Sequence, residues 1–334
     1  MDRATPLFAA APLIVAGLFA PAAADADTLT IYTYDSFVSS WGPGPAVKEA
    51  FEAVCDCTVA FVGAGDGAEL LARIQLEGAR SEADIVLGLD TNLTARAAAT
   101  GLFAEHGLEV PLLDLPIDWE DPRFLPYDWG WFAFVYDRTR LAEPPASFED
   151  LIESDLSILI QDPRSSTPGL GLVKWVEAAH PANAADVWAG LAPRIVTVTR
   201  GWSEAYGLFL EGEADMVLSY TTSPAYHLIA EGDDSKAAAP FAEGHYLQIE
   251  VAGVLANAPN PELAREFLAF MLTDAFQSVI PTTNWMYPAV IPAEGLPEGF
   301  ETLIRPETSL LFSPEDAAAL RDAAIETWRG ALAR

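Results

Sequence analysis

Nine consecutive residues, "SYTTSPAYH" (219–227), bring together two tyrosines, four hydroxyl side chains and a histidine. Two kinds of chemistry could use such a set. A serine beside a histidine could act as nucleophile and base. Alternatively, aromatic faces and hydroxyls could line a surface that grips a ligand. The first reading needs a G-x-S-x-G elbow on a sharp strand-to-helix turn, and "LSYTTSP" lacks those glycines. His106, His180, His227 and His245 are scattered and form neither H-E-x-x-H nor H-x-x-x-H. There is no Walker-type phosphate loop and no G-x-G-x-x-G after a strand. No catalytic residue, cofactor or metal site is expected.

Two further stretches carry binding chemistry. "GAGDG" (63–67) lies between a β-rich run and a helical one, where glycines allow close backbone approach and free N–H groups attract anions. Asp66 is placed there either to cap the helix or to meet a ligand. "DPRSSTPGLG" (162–171) repeats the arrangement, with Ser165, Ser166 and Thr167 ahead of Pro168, a residue suited to the first helical turn. Tyr34, Trp41, Trp202, Tyr220, Tyr226 and Trp285 sit at strand ends or in polar loops, unlike core aromatics such as Phe267 and Phe270. Aromatic faces in such loops stack on flat heterocycles and attract cations.

These residues need a scaffold, and the chain is long enough for two lobes: 334 residues, 51% of them hydrophobic. "LTIYTY", "TVAFVG" and "ADIVLGL" read as strands alternating with the helices "PAVKEAFEAV", "GAELLARIQLEG" and "NLTARAAATG". In the second of these helices Leu70, Leu71, Ile74 and Leu76 are expected inward. After a proline-rich connector, "DWGWFAFVYD" is an aromatic strand, and "SILIQD", "RIVTV" and "DMVLSY" begin a second strand–helix set. "HYLQIEVAGVLAN" is another long strand, followed by helices at "PELAREFLAFMLTDAFQ" and "SPEDAAALRDAAIETWRGAL". In the last, Ser313 is the expected N-cap and Pro314 the first helical residue. The expected fold is α/β, two doubly wound lobes each with its own sheet, joined by crossover strands around residues 132–136 and 246–255.

The balance of 18 Lys and Arg against 49 Asp and Glu, a formal net charge of -31, disfavours nucleic acid and anionic lipid as partners. Residues 1–24 read as a secretory signal peptide, with a short apolar stretch and small residues at the cleavage site. No later run is apolar and long enough to span a bilayer. Cys55 and Cys57 would point to opposite faces of a regular strand but could join in a turn, so disulfide and free thiols are both open.

Taken in register, "LTIYTYDSFVSSWGPGPAVKEAFE", "ADIVLGLD", "IQDPRSSTPGLGL", "VTVTRGWSEAYGLFLEGEADMVLSYTTSPAYH", "EGHYLQIEV" and "IPTTNWMYP" closely resemble the periplasmic thiamine-binding proteins, substrate-binding components of thiamine ABC transporters. The resemblance covers nearly the whole chain after residue 24. It implies a two-lobed periplasmic solute-binding fold with the ligand cleft between lobes: 25–130 with 252–305, and 131–251 with 306–334. It implies thiamine, thiamine monophosphate and thiamine diphosphate as ligands, and a permease and its ATPase subunit as partners. By motif it implies ligand contacts at Asp66, Gly67, Ser166, Thr167, Trp202, Tyr220, Thr221, Thr222 and Ser223. Tyr34, Tyr226 and Trp285 are the implied ring-stacking residues. For the cationic thiazolium the carboxylate of choice is Asp66, with Asp35 second, and the "SSTPG" turn is the expected phosphate end. A ferric-ion or other small-solute binder of the same fold is the alternative. On this reading residues 219–227 are a gripping surface and need no nucleophile.

Overall fold

The β-rich runs and the helical runs alternate in space as they do in sequence. The computed structural model describes Met1 and residues 27–333; the expected signal peptide, Met1 apart, lies outside the described residues. Strands β1 (Asp27–Thr33), β2 (Cys57–Gly63) and β3 (Ile85–Asp90) are connected through helices α1 (Asp35–Val38), α2 (Gly44–Glu52) and α3 (Gly67–Glu77), and α4 (Thr94–Ala99) follows. The long β4 (Phe124–Asp137) crosses to the second half. That half holds α5 (Phe148–Glu153), β5 (Ile158–Gln161), α6 (Thr167–Ala179), α7 (Ala184–Leu191), β6 (Ile195–Thr199), α8 (Trp202–Glu211), β7 (Met216–Tyr220), α9 (Pro224–Tyr226) and β8 (Lys236–Ala238). Strand β9 (His245–Val254) returns. The chain then runs through α10 (Pro261–Met271), α11 (Asp274–Gln277), α12 (Ile280–Thr283), β10 (Tyr287–Pro288) and β11 (Ser309–Leu310) to α13 (Pro314–Leu332).

Strand order is β2-β1-β3-β9-β4-β7-β5-β6. The outer strands of each half are parallel, as connecting helices require. The two central strands, β9 and β4, run antiparallel to each other and to their outer neighbours β3 and β7. The sheets therefore do not stand apart. They share β4, which pairs with β9 through Phe124–Trp131 and with β7 through Phe132–Tyr136. Of the two long strands expected to run between the halves, β4 changes partner from β9 to β7 along its length, residues 132–136 pairing with β7, and β9 pairs with β3 and β4.

Local expectations mostly hold. Ser313 caps α13, its hydroxyl accepting the Asp316 N–H at 3.1 Å. Leu70, Leu71 and Ile74 are buried, but Leu76 is 81% exposed; two residues beyond Ile74 is more than half a turn round the helix. The helix expected over 261–277 is broken, because Thr273 adopts an extended backbone between α10 and α11. Cys55 and Cys57 are joined in a disulfide. Cys55 lies in the turn ahead of β2, where strand alternation does not apply. No helix among the described residues is long and apolar enough to cross a membrane.

Candidate functional site

A cavity of about 390 Å³ opens between the two halves, above the central strands. Its floor is built by register. Glu250 on β9 lies directly opposite Asp90 on β3 and Asp128 on β4, so three carboxyl groups sit side by side on one face of the sheet. Both flanking ladders are irregular at this point, between Leu87 and Leu89 and between Pro126 and Asp128. Bulges re-aim side chains next to sites. At the first, Gly88 takes φ +105° and the Tyr34 ring occupies the space a Cβ would need, only 2.2 Å away. A side chain at 88 would therefore displace Tyr34.

Of the three, Glu250 alone lines the cavity; Asp90 and Asp128 are buried beside it. Glu250 accepts hydrogen bonds from the Tyr34 hydroxyl at 2.9 Å, the Tyr127 hydroxyl at 2.5 Å and the Gln248 amide at 2.8 Å. Asp128 receives the Asn284 amide at 2.6 Å, while its second oxygen is buried without a partner. Burial, which disfavours the charged form, pushes the Glu250 carboxyl up to about 7. The same cause, reinforced by Glu250, raises Asp128 well above the usual carboxylate range. Burial also lifts Asp90 to about 6.

The walls are aromatic. Trp202 begins α8 and stacks on Tyr206 at 5.1 Å, which in turn stacks on His227 at 5.9 Å. From the other half, Trp41 approaches Trp202 at 6.3 Å and Trp285 meets Tyr226 at 5.4 Å. Trp285 is the one non-glycine among the described residues with positive φ, at 57°. A bulky residue in that region is strained and is held there by its surroundings. The Trp285 N–H donates to the Ile280 carbonyl at 3.0 Å.

The rim is formed where helices α3 and α6 meet end to end. Asp66 occupies the cap position of α3, yet its carboxylate makes no bond to its own helix. It accepts instead from the Ser166 hydroxyl at 2.8 Å and the Trp202 N–H at 3.3 Å, across the cleft. Burial raises it to about 6, against the opposing pull of the Ser166 bond. The Gly67 N–H donates to the Thr167 hydroxyl at 3.2 Å, and a Cβ at 67 would lie 2.7 Å from that oxygen. Outside these, Arg200 pairs with Glu69 at 2.6 Å.

Of the residues expected at the site, Tyr34, Asp66, Thr167, Trp202, Tyr220, Ser223, Tyr226 and Trp285 line one cavity. Gly67 and Ser166 stand behind it in the rim seam. Thr221 and Thr222 are fully buried, the latter against Met286. Asp35 holds the Gly65 N–H at 3.1 Å and does not line the cavity. Ser219 and His227 form no dyad. Ser219 Oγ takes the Trp202 indole N–H and contacts Ser223, and His227 is engaged by Tyr206 and Glu231. Sequence reasoning missed Glu250, Asp128 and the hydrogen bond that Asn284 donates to Asp128. A signal was present: single carboxylates inside the apolar strands "YLQIEV" and "PYDWGW".

Two α/β halves hinged on paired central strands, with an aromatic, acid-floored cavity between them, define a solute receptor. The chain belongs to the bacterial extracellular solute-binding proteins, whose family model matches residues 42–278. Within that class it is 53% identical to Thiamine-binding periplasmic protein of Escherichia coli (strain K12), over 92% of this chain and 94% of the relative. It is 43% identical to the protein of the same name from Haemophilus influenzae, over 96% and 98% of the two chains. A solved structure, "Periplasmic thiamin binding protein", superposes with a TM-score of 0.90 at 53% identity, over 92% of this chain and 96% of that one. Iron uptake protein A1 of Synechocystis is a distant relative, 27% identical over 68% of this chain and 67% of its own.

Proposed function

We propose that this chain binds thiamine in the periplasm and delivers it to the permease of an ABC transporter, which an ATPase subunit powers. The observation that carries the reading is the cavity itself. It combines indole and phenol faces from both halves with a carboxylate floor, which suits a flat aminopyrimidine joined to a permanently cationic thiazolium. More than half-identity to proteins named for thiamine binding, over nearly the whole chain, supports it. The chain acts as a carrier and not as an enzyme. Its ligand contacts are Asp66, Thr167, Trp202, Tyr220, Ser223, Tyr34, Tyr226 and Trp285, with Gly67, Ser166, Thr221 and Thr222 forming the supporting turn and rim.

Thiamine monophosphate and diphosphate share the site, with their phosphate ends toward the start of α6. Thr167 at the cavity wall, in the first turn of that helix, supports this orientation. The moving units are residues 25–130 with 252–305, and 131–251 with 306–334. The change of β4's partner from β9 to β7 after Trp131 supports a boundary there. Ligand contacts to both units favour the closed form, which docks on the permease.

Titration calorimetry with thiamine, its two phosphate esters and ferric ion tests the reading. Saturable 1:1 binding of thiamine, with no absorbance change on adding iron, is the expected result. Iron binding without thiamine binding would replace this reading with the ferric alternative.

A further inference from the structure

The floor of the cleft has a property that thiamine binding alone does not require. Asp128 and Glu250 are opposed residues on the two central strands, and Asp90 flanks Glu250 on the other side. Asp128 is fully buried and Glu250 nearly so. No lysine, arginine or histidine makes an ion pair with Asp128 or Glu250 among the described residues. The groups facing them are neutral donors or further acids. Tyr34 comes from the end of β1, Tyr127 from β4, Gln248 from β9 and Asn284 from the end of α12. Tyr220 at the end of β7 faces them too, Asp66 lies across the cavity, and Lys174 acts on the flanking Asp90. Adjacent buried carboxylates without a counter-ion cannot both be ionised.

We propose that the Asp128–Glu250 pair is the counter-charge for the ligand's cationic ring, and that the empty cleft holds on this pair a proton that leaves when the cation is seated. The proposal rests on the reading of thiamine as ligand. On binding, a carboxyl O–H bond breaks, the proton passes to solvent and the ring's fixed positive charge takes its place; no electrons are transferred. The exchange keeps the floor near one net charge in both states, so neither state buries an unpaired pair of anions. It also selects for a permanent cation, because a neutral ring cannot displace the proton. The raised range of the pair, about 7 for Glu250, puts the exchange near neutral pH, and the two groups titrate as a unit.

The test is thiamine calorimetry in two buffers of different ionisation enthalpy, together with affinity measured from about pH 6 to about pH 8. The expected result is release of about half a proton or more per thiamine near neutrality, and about tenfold tighter binding at the upper end of the range. Glu250→Gln should weaken binding and move both the release and the slope away from the wild-type pH, because Asp128 alone then holds the proton. Asp128→Asn should move the slope to lower pH by about one unit or more, because Glu250 then lacks its neighbouring acid. A purely structural role for Asp128 would not shift a pH profile. Near-ultraviolet circular dichroism checks that each variant is folded, and either variant alone suffices. Thiamine binding by the wild type with no proton release and a flat profile overturns the proposal while leaving the functional reading intact. So does Glu250→Gln with the wild-type slope. Absence of thiamine binding at every pH sinks the functional reading first and this proposal with it.

Discussion

The rim and the floor of the cleft are both acidic, but they handle charge in opposite ways. At the rim, each carboxylate has a partner from the opposite half: Asp66 with Ser166 and the Trp202 N–H, Glu69 with Arg200. These contacts cross the cleft, so opening breaks them and water replaces them. At the floor, Glu250 and Asp128 lie on the central strands and Asp90 on the adjoining β3, their cross-strand pairing does not span the cleft, and no cation pairs with Glu250 or Asp128 among the described residues. Opening does not relieve their crowding. The difference separates two tasks: the rim contributes to closure through many weak, reversible contacts, while the floor holds an electrostatic cost that only protons or a cationic ligand can offset.

The largest expected effect tests the floor. Glu250 is raised from 4.5 to about 7 in the folded protein. The folded state therefore binds more protons than the unfolded one across that window, and stability must fall as pH rises through it. Urea unfolding of the ligand-free protein should lose up to about 3 kcal/mol between about pH 4.5 and about pH 7. Asp66 and Asp90, both raised to about 6, act in the same direction. Saturating thiamine should flatten the profile. A ligand-free stability that rises over this window would break the contrast between floor and rim.

Next in size are the walls that join the two regions. Trp202→Ala should weaken thiamine binding by roughly 1–3 kcal/mol through lost stacking area and cation–aromatic attraction, and thiamine should quench tryptophan fluorescence in the wild type. Unchanged affinity in both Trp202→Ala and Trp285→Ala would remove the indoles from the site. A smaller effect is expected for Ser166→Ala with Thr167→Ala. About 1 kcal/mol is lost with the rim hydrogen bonds, and the loss should be greater for the phosphate esters than for thiamine. An equal loss for all three ligands would confine these hydroxyls to closure. The smallest belongs to Glu69→Gln. An exposed ion pair of this kind contributes little and is screened by salt, so thiamine release should quicken slightly at low salt and not at high salt. A large, salt-independent change would show the rim to be more than a set of weak contacts.

The same contrast separates what could be read in the chain from what could not. Rim and walls were legible because their residues come in contiguous motifs. "GAGDG", "SSTPG", "GWSEAY" and "SPAY" each sit at a strand-to-helix junction, where turn chemistry and capping leave a local signature. Asp66 shows the limit of that reading. Its position is the cap its motif suggests, but its carboxylate turns away from α3 to the opposite half, which no local rule states. Thr221 and Thr222, inside the most suggestive stretch of all, are buried behind the wall.

By itself, then, the amino-acid sequence determined the strand and helix order, the two-half architecture and the loops that carry the aromatics, since these follow from hydrophobic periodicity and short-range turn preferences. It also carried the resemblance that points to thiamine. The tertiary structure alone decided that Asp90, Asp128 and Glu250 would stand in one row. These residues are far apart in the chain and become neighbours through antiparallel pairing across bulges at Gly88 and Tyr127. A one-residue slip in either ladder would send a carboxylate to the other face of the sheet, and strand register is set by long-range packing that no local stretch of sequence displays.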